Sequence, residues 1–263
     1  MGRVHAIGCL VGGEAWRGEW IRRLQSLNPE AIDIGLHLDL TEVPLLPTAQ
    51  RSLAALVAAA WLRRLDPAAV RAEIRAQLDV FERAFGRAPA FVDGHRHVHQ
   101  FAVLRQTLLD ELVQRYVTRM PWLRSTRAPR NAKAWREGGW RTMVKARGIE
   151  MLGAGATTTM ARRLGLAQNH CLLGVYDFQG GATRYRALLA NWMACAVDAD
   201  LLMCHAATDD KTSDAMNAAR RAELEVLGSP SFGALLDQNG LRLAPMSRIL
   251  ARGNAFRHAA PQS

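Results

Sequence analysis

Cysteine is scarce in this chain, and what there is follows no metal-binding or disulfide spacing. Cys9, Cys171, Cys195 and Cys204 are far apart and form no C-x-x-C pair. That argues against a zinc knuckle and a disulfide framework, and reads as reduced, mostly buried thiols. Long apolar runs are missing too: none approaches the roughly 20 residues that cross a bilayer. Met1-Gly2-Arg3-Val4-His5 leads into only a brief apolar stretch before Gly12-Gly13-Glu14, unlike a signal peptide, so the expected location is the cytoplasm. Without G-x-S-x-G, G-x-G-x-x-G or a Walker motif, serine-nucleophile chemistry and nucleotide binding have no support. Cys204-His205 does not suggest a cysteine nucleophile, because neighbours on a strand point to opposite faces.

Negative charge is also in short supply. Lys and Arg number 34 against 24 Asp and Glu, a net charge of +10. The excess sits in pairs such as Arg22-Arg23, Arg63-Arg64, Arg162-Arg163 and Arg220-Arg221, spread over apparent amphipathic helices. No basic block or interleaved aromatics accompany them, so they read as solvated helix faces and no nucleic-acid partner is expected. With 263 residues, 49% of them apolar, the chain can bury a large core and suits one α/β domain over residues 1–263.

Strand and helix signals alternate along it. Residues 31–40 alternate strictly, with Ile32, Ile34, Leu36, Leu38 and Leu40 on one face and His37 and Asp39 on the other. Residues 53–65 are rich in Ala and Leu and predict a helix. Asp66-Pro67 then forms an N-cap and first turn for a helix that Gly86 ends. A short apolar strand follows at 89–92, then a helix over 103–116. Arg119-Met120-Pro121-Trp122 reads as the end of another strand, and the stretch 124–139 as a long loop anchored by Trp122, Trp135 and Trp140. Short helices are expected at 142–150, 158–166 and 185–197, strands at 171–175 and 201–204, a polar loop at 206–214, and final helices at 215–227 and 232–239. Such alternation without a linker or repeat predicts a parallel sheet or barrel wrapped by helices. Its chemistry belongs at the carboxyl ends of the strands.

What the chain does have is Asp93-Gly94-His95-Arg96-His97-Val98-His99, one carboxylate and three imidazoles at alternate positions. On an extended backbone all four would point to one side. Imidazole is the commonest protein ligand of catalytic divalent metals, and such a metal takes two or three His, Asp or Glu ligands. His37 and His95 are the first candidates. Asp39, Asp93, His97 and His99 would complete or support the metal shell. His205, after a distant strand, suits a general acid.

Three segments together resemble a known family. Gly35-Leu36-His37-Leu38-Asp39-Leu40-Thr41-Glu42, Asp93-Gly94-His95-Arg96-His97-Val98-His99 and Leu202-Met203-Cys204-His205 look like successive signatures of the YdjC-like carbohydrate deacetylases. The likeness continues through Phe85-Gly86-Arg87-Ala88-Pro89, Tyr176-Asp177-Phe178-Gln179-Gly180-Gly181 and Arg221-Ala222-Glu223-Leu224. It implies a distorted TIM-like (β/α) barrel and a divalent metal, Mg2+ or another such as Zn2+, on His37 and His95. It further implies removal of an acetyl group from an N-acetylated carbohydrate, soluble or lipid-linked, with His205 as the acid and Asp39, Asp93, His97 and His99 supporting the metal or lining the pocket.

Family members open on a strand ending in Asp-Asp-Phe-Gly, whose carboxylates supply a metal ligand and the general base. Met1-Gly2-Arg3-Val4 aligns beyond that strand. The resemblance therefore implies a chain without the first barrel strand, with residues 4–11 as the family's second. A second copy could cover the exposed edge as a homodimer. Loss of the base implies hydrolysis slower by at least about 10²-fold. The alternatives are a non-catalytic carbohydrate- or metal-binding relic, or a metal-dependent phosphoesterase, which would need two metals and clustered carboxylates.

Overall fold

The computed structural model describes residues 2–47, 50–208 and 216–258, with side chains up to Arg252. The polar loop expected at 206–214 lies largely outside them. Parallel strands and helices alternate, the α/β class expected. No described helix is long and apolar enough to cross a membrane. Two compact units divide the chain, which passes between them repeatedly, so no linker-like stretch marks the boundary.

The larger unit takes Val4–Ser125, Met151–Asn169 and the chain from Ala244. Its strands β1 (Ala6–Cys9), β2 (Asp33–Leu38), β3 (Phe91–Gly94) and β4 (Trp122–Leu123) form a four-stranded parallel sheet in that order. Helix α1 (Gly18–Gln25) follows β1, and α2 (Leu53–Trp61) and α3 (Pro67–Phe85) follow β2. Helix α4 (Leu104–Arg115) follows β3, and α6 (Ala154–Arg163) and α10 (Met246–His258) complete the unit. Helix α3 has the signals read from its sequence. Asp66 accepts the Ala68 N–H at 2.9 Å, Pro67 opens the first turn and Gly86 closes the helix at φ 64°. Ile74, Leu78 and Phe81 of α3 bury against Leu36 and Leu38 of β2 and Leu104 and Leu108 of α4. Each such side chain contributes roughly 1.5–3 kcal/mol.

Both faces of β2 are covered, which is why its polar members need partners. Asp33 is buried and accepts hydrogen bonds from Trp122 Nε1 (3.0 Å), Ser247 N (2.8 Å) and Ser247 Oγ (2.5 Å). That ties β4 and the start of α10 to β2. Trp122 is thus a core strand residue stacked on Phe91, whereas Trp140 lies exposed.

The smaller unit takes Thr126–Glu150 and His170–Leu243, with the residues up to Arg3. Strands β5 (Leu172–Leu173) and β6 (Leu201–Leu202) pair in parallel. Helices α7 (Gly181–Met193), α8 (Asn217–Gly228) and α9 (Pro230–Gln238) pack Tyr185, Leu188, Leu189 and Trp192 against Val226 and Phe232. Helix α5 (Gly139–Met151) begins three residues earlier than expected.

Candidate active site

The candidate site of the larger unit stands at the carboxyl ends of β2, β3 and β4. Parallel register places His37 of β2 directly beside Asp93 of β3. His37 Nδ1 is 2.6 Å from Asp93 Oδ1, and Arg124, just beyond β4, holds Asp93 Oδ2 at 2.5 Å through a guanidinium that is only 5% exposed. Gly8 of β1 leaves room for the pair, since a Cβ there would lie 3.3 Å from His37 Cβ. Burial alone would push the Asp93 carboxyl up. Arg124 and then His37 reverse this and hold it well below the ordinary carboxylate range. Asp93 is therefore a fixed anion that orients His37, with both oxygens engaged, and leaves Nε2 of that ring for another partner.

Strand β3 ends at Gly94, which corrects the extended histidine ladder. His95–Gln100 forms a 3-10 turn in which Arg96 and His97 take left-handed φ of 49° and 62°. Non-glycine residues seldom adopt such angles, and only a surrounding structure that over-determines them keeps them there. The turn separates the three imidazoles. His95 comes forward, 25% exposed, with its ring 5.4 Å edge-on from that of His37. Its Nε2 lies 3.2 Å from Glu42 Oε2 without hydrogen-bond alignment, and Arg96 pairs with the other Glu42 oxygen. Burial, then the neighbouring His37, lowers the His95 pKa and keeps the ring neutral.

His97 and His99 turn the other way, onto Arg124. His97 Nδ1 is 3.2 Å from Arg124 Nη2, which also donates to the Gly94 carbonyl at 2.6 Å. His99 Nε2 lies 2.9 Å from the Arg124 carbonyl. His99 is wholly buried, and burial followed by Arg124 lowers its pKa to about 3. Both rings are neutral supports of the arginine. Asp39 is likewise engaged: its carboxylate accepts the N–H groups of Thr41 (2.8 Å), Glu42 (2.9 Å) and Val43 (2.6 Å) and the Thr41 hydroxyl (2.7 Å). It closes the loop that presents Glu42.

A divalent metal requires neutral imidazole or carboxylate donors. His37, with Nδ1 committed to Asp93, and His95, with an unbonded buried Nε2, fit that requirement, and Glu42 adds a carboxylate next to His95. Burial and then Asp93 push the nearby Cys9 thiol up to about 12. Arg124 and Glu42 had no role in the sequence reading. Glu42 stands in the first signature, while Arg124 falls in a stretch that reads as loop.

His205 belongs to the smaller unit, three residues beyond β6. Its ring meets Phe178 edge-on at 5.3 Å, and its Nδ1 lies 3.8 Å from Glu223 Oε1. Glu223 is buried, accepts the Tyr176 hydroxyl at 2.8 Å and also takes the His205 backbone N–H. Lys145 stands over the Phe178 ring at 4.7 Å. Glu223 and Tyr176 both lie in stretches that carry the family likeness.

The sequence pattern of the family described as YdjC-like protein matches residues 1–238. The chain belongs to the YdjC-like protein family. A mouse relative named carbohydrate deacetylase is 28% identical, the match covering 68% of this chain but 62% of the relative. A human protein of the same name is 26% identical over 94% of this chain and 83% of its own. An Enterococcus faecalis crystal structure, named for cellobiose-phosphate cleavage, aligns over 95% of this chain and 89% of its own with a TM-score of 0.66 and 19% identity. The YdjC-like chain and that protein share a fold.

Proposed function

We propose that this YdjC-like protein removes the acetyl group from an N-acetylated carbohydrate with the help of a divalent metal, Mg2+ or Zn2+, in the cytoplasm. Two curated relatives named carbohydrate deacetylase support the reaction class. The observation that carries the site is the His37–Asp93 pair beside His95, whose Nε2 has no hydrogen bond. The metal would be held by His37 and His95, and would supply Lewis-acid polarisation of the acetamide carbonyl and a more acidic water.

The chain's own groups supply the rest. Asp93, locked by Arg124, engages His37 Nδ1 and leaves Nε2 as that ring's metal donor. The lowered His95 pKa keeps a second neutral nitrogen ready near neutral pH. His205 is assigned the acid that protonates the departing amine, and its Nδ1 lies 3.8 Å from Glu223 Oε1. Asp93 is a poor base because both of its oxygens are taken and its pKa is depressed.

Acetate release from short N-acetylglucosamine oligomers, with and without a chelator, tests this reading. We expect activity that a chelator abolishes and a divalent metal restores. His37→Ala and His95→Ala should each lower kcat/KM by at least about 10²-fold, as should His205→Asn, which should leave metal affinity intact. Chelator-insensitive release, or full activity in either His37→Ala or His95→Ala, would overturn it.

A further inference from the structure

His170 and Cys171 lead into β5 and Asp200 leads into β6. Because Leu172 pairs with Leu201, the two approaches run side by side. The His170 N–H donates to the Ala199 carbonyl at 2.8 Å and the Leu201 N–H to the Cys171 carbonyl at 2.9 Å. His170 Nδ1 is 2.8 Å from Asp200 Oδ1, which also accepts the Cys171 N–H at 3.0 Å. Asp200 Oδ2 accepts the Val197 N–H at 3.0 Å. One nitrogen of His170, Cys171 Sγ and one oxygen of Asp200 all lie within 4.8 Å of one another. Among the described residues no other three His, Cys, Asp or Glu side chains converge so closely.

We propose that His170, Cys171 and Asp200 form a zinc site, distinct in residues and donor chemistry from His37 and His95. One nitrogen, one thiolate sulfur and one carboxylate oxygen suit Zn2+, whereas Mg2+ and Ca2+ require an all-oxygen shell. Zinc bonds of about 2.0–2.3 Å in tetrahedral geometry set ligand atoms roughly 3.3–3.8 Å apart. The trio reaches that spacing if the imidazole and carboxylate open by about half an ångström and the sulfur side closes. Backbone pairing already fixes where each side chain starts, and the Val197 N–H anchors one Asp200 oxygen while the other turns to the metal.

Burial, then Asp200, pushes the Cys171 thiol up to about 11, so without metal the site holds a thiol. Zinc entry forms the Zn–S bond, breaks the S–H bond and passes that proton to solvent. His170, with a side chain 52% exposed, gives the ion a path in and leaves the fourth position to water. The consequence is a clip joining the starts of β5 and β6. Without a metal, the same contacts amount to a carboxylate that caps a turn and holds a surface histidine.

Cobalt titration of the full chain, stripped by a chelator and kept reduced and oxygen-free, tests the site. Thiolate bound to Co2+ gives a near-ultraviolet sulfur-to-cobalt charge-transfer band that histidine and carboxylate ligands lack. We expect a saturable band, bleached by Zn2+ and unchanged when His37 and His95 are both replaced by Ala. Cys171→Ser should abolish it. His170→Gln, an exposed change that far-ultraviolet circular dichroism should show to be folded, should raise the Co2+ concentration needed by at least about tenfold. No band in the unaltered chain, or a band surviving Cys171→Ser, would overturn the proposal. If Cys171→Ser fails to fold, unaltered affinity in His170→Gln overturns it alone.

Discussion

Asp93 receives the Nδ1 edge of His37 at 2.6 Å, and the two residues are register partners across β2 and β3. Sheet pairing fixes where each side chain starts. The other Asp93 oxygen, locked to Arg124 at 2.5 Å, turns one hydrogen bond into a buried three-membered network. Such a network is costly to leave half made.

Asp93→Asn keeps the shape and removes the charge. The buried Arg124 guanidinium then loses its counter-ion, and His37 its fixed tautomer. We expect a loss of about 3–5 kcal/mol in urea unfolding, the scale for stripping one partner from a buried pair. Metal affinity should fall about 10–100-fold as the orienting carboxylate disappears. An unchanged unfolding midpoint would show that Asp93 is not the anion that holds Arg124.

Acid should weaken the fold from the histidine side first. In the unfolded chain His99 takes up a proton near pH 6.5, whereas in the fold burial and then Arg124 lower its pKa to about 3. Between these values the unfolded state binds more protons. The contribution is therefore complete above pH 6.5 and drains away as pH falls toward 3. Asp93 adds a second loss lower on the scale, because its folded pKa lies below the ordinary carboxylate value. His99→Gln keeps a donor for the Arg124 carbonyl but cannot titrate, so its stability should depend less on pH between 6.5 and 4. Urea midpoints across that range decide, and equal slopes in the two chains would sink the argument.

Much of this was legible in the sequence, and the failures have physical causes. Strict alternation located β2, and it put His37 on the correct face. The same rule failed after Gly94, because Arg96 and His97 adopt left-handed angles that no local signal announces in non-glycine residues. Asp39 read as a metal supporter, yet an acidic residue two before Thr41 is also a loop cap, and the structure uses it so. Arg124 was invisible since its partners lie about thirty residues away in β3 and the turn after it. The apolar runs at 171–175 and 201–204 do hold strands β5 and β6, each only two residues long, whereas α10 was missed altogether.

Gly35 carries a steric constraint that its place in a strand conceals. A Cβ there would lie 2.4 Å from the Phe91 ring, and Phe91 is pinned against Trp122 with ring centres 4.5 Å apart. The ring cannot retreat. Gly35→Ala should cost roughly 1–3 kcal/mol, as overpacked cores do. Phe91→Leu in the same chain should restore part of that loss, so a double-mutant cycle should show coupling between the two sites. Strict additivity would mean that the clash is relieved elsewhere.

Glu73 shapes the same region from beneath. It is fully buried on α3, where Oε1 accepts the Leu45 N–H and Oε2 the Leu46 N–H, each at 2.8 Å. Gln77, one turn on, donates to Glu73 Oε1 at 2.6 Å and to the Asp39 carbonyl at 2.5 Å. Helix α3 thus clamps both ends of the loop that carries Glu42 to His95. Glu73→Gln preserves the volume but replaces one acceptor with an amide N–H that faces another N–H. Leaving a buried donor without a partner costs about 1–3 kcal/mol, and we expect a loss of that size in chemical denaturation. Amide exchange at Leu45 and Leu46 should rise more than at the core of α3, because the break is local. Unchanged exchange at those two amides would show that Glu73 does not hold the loop.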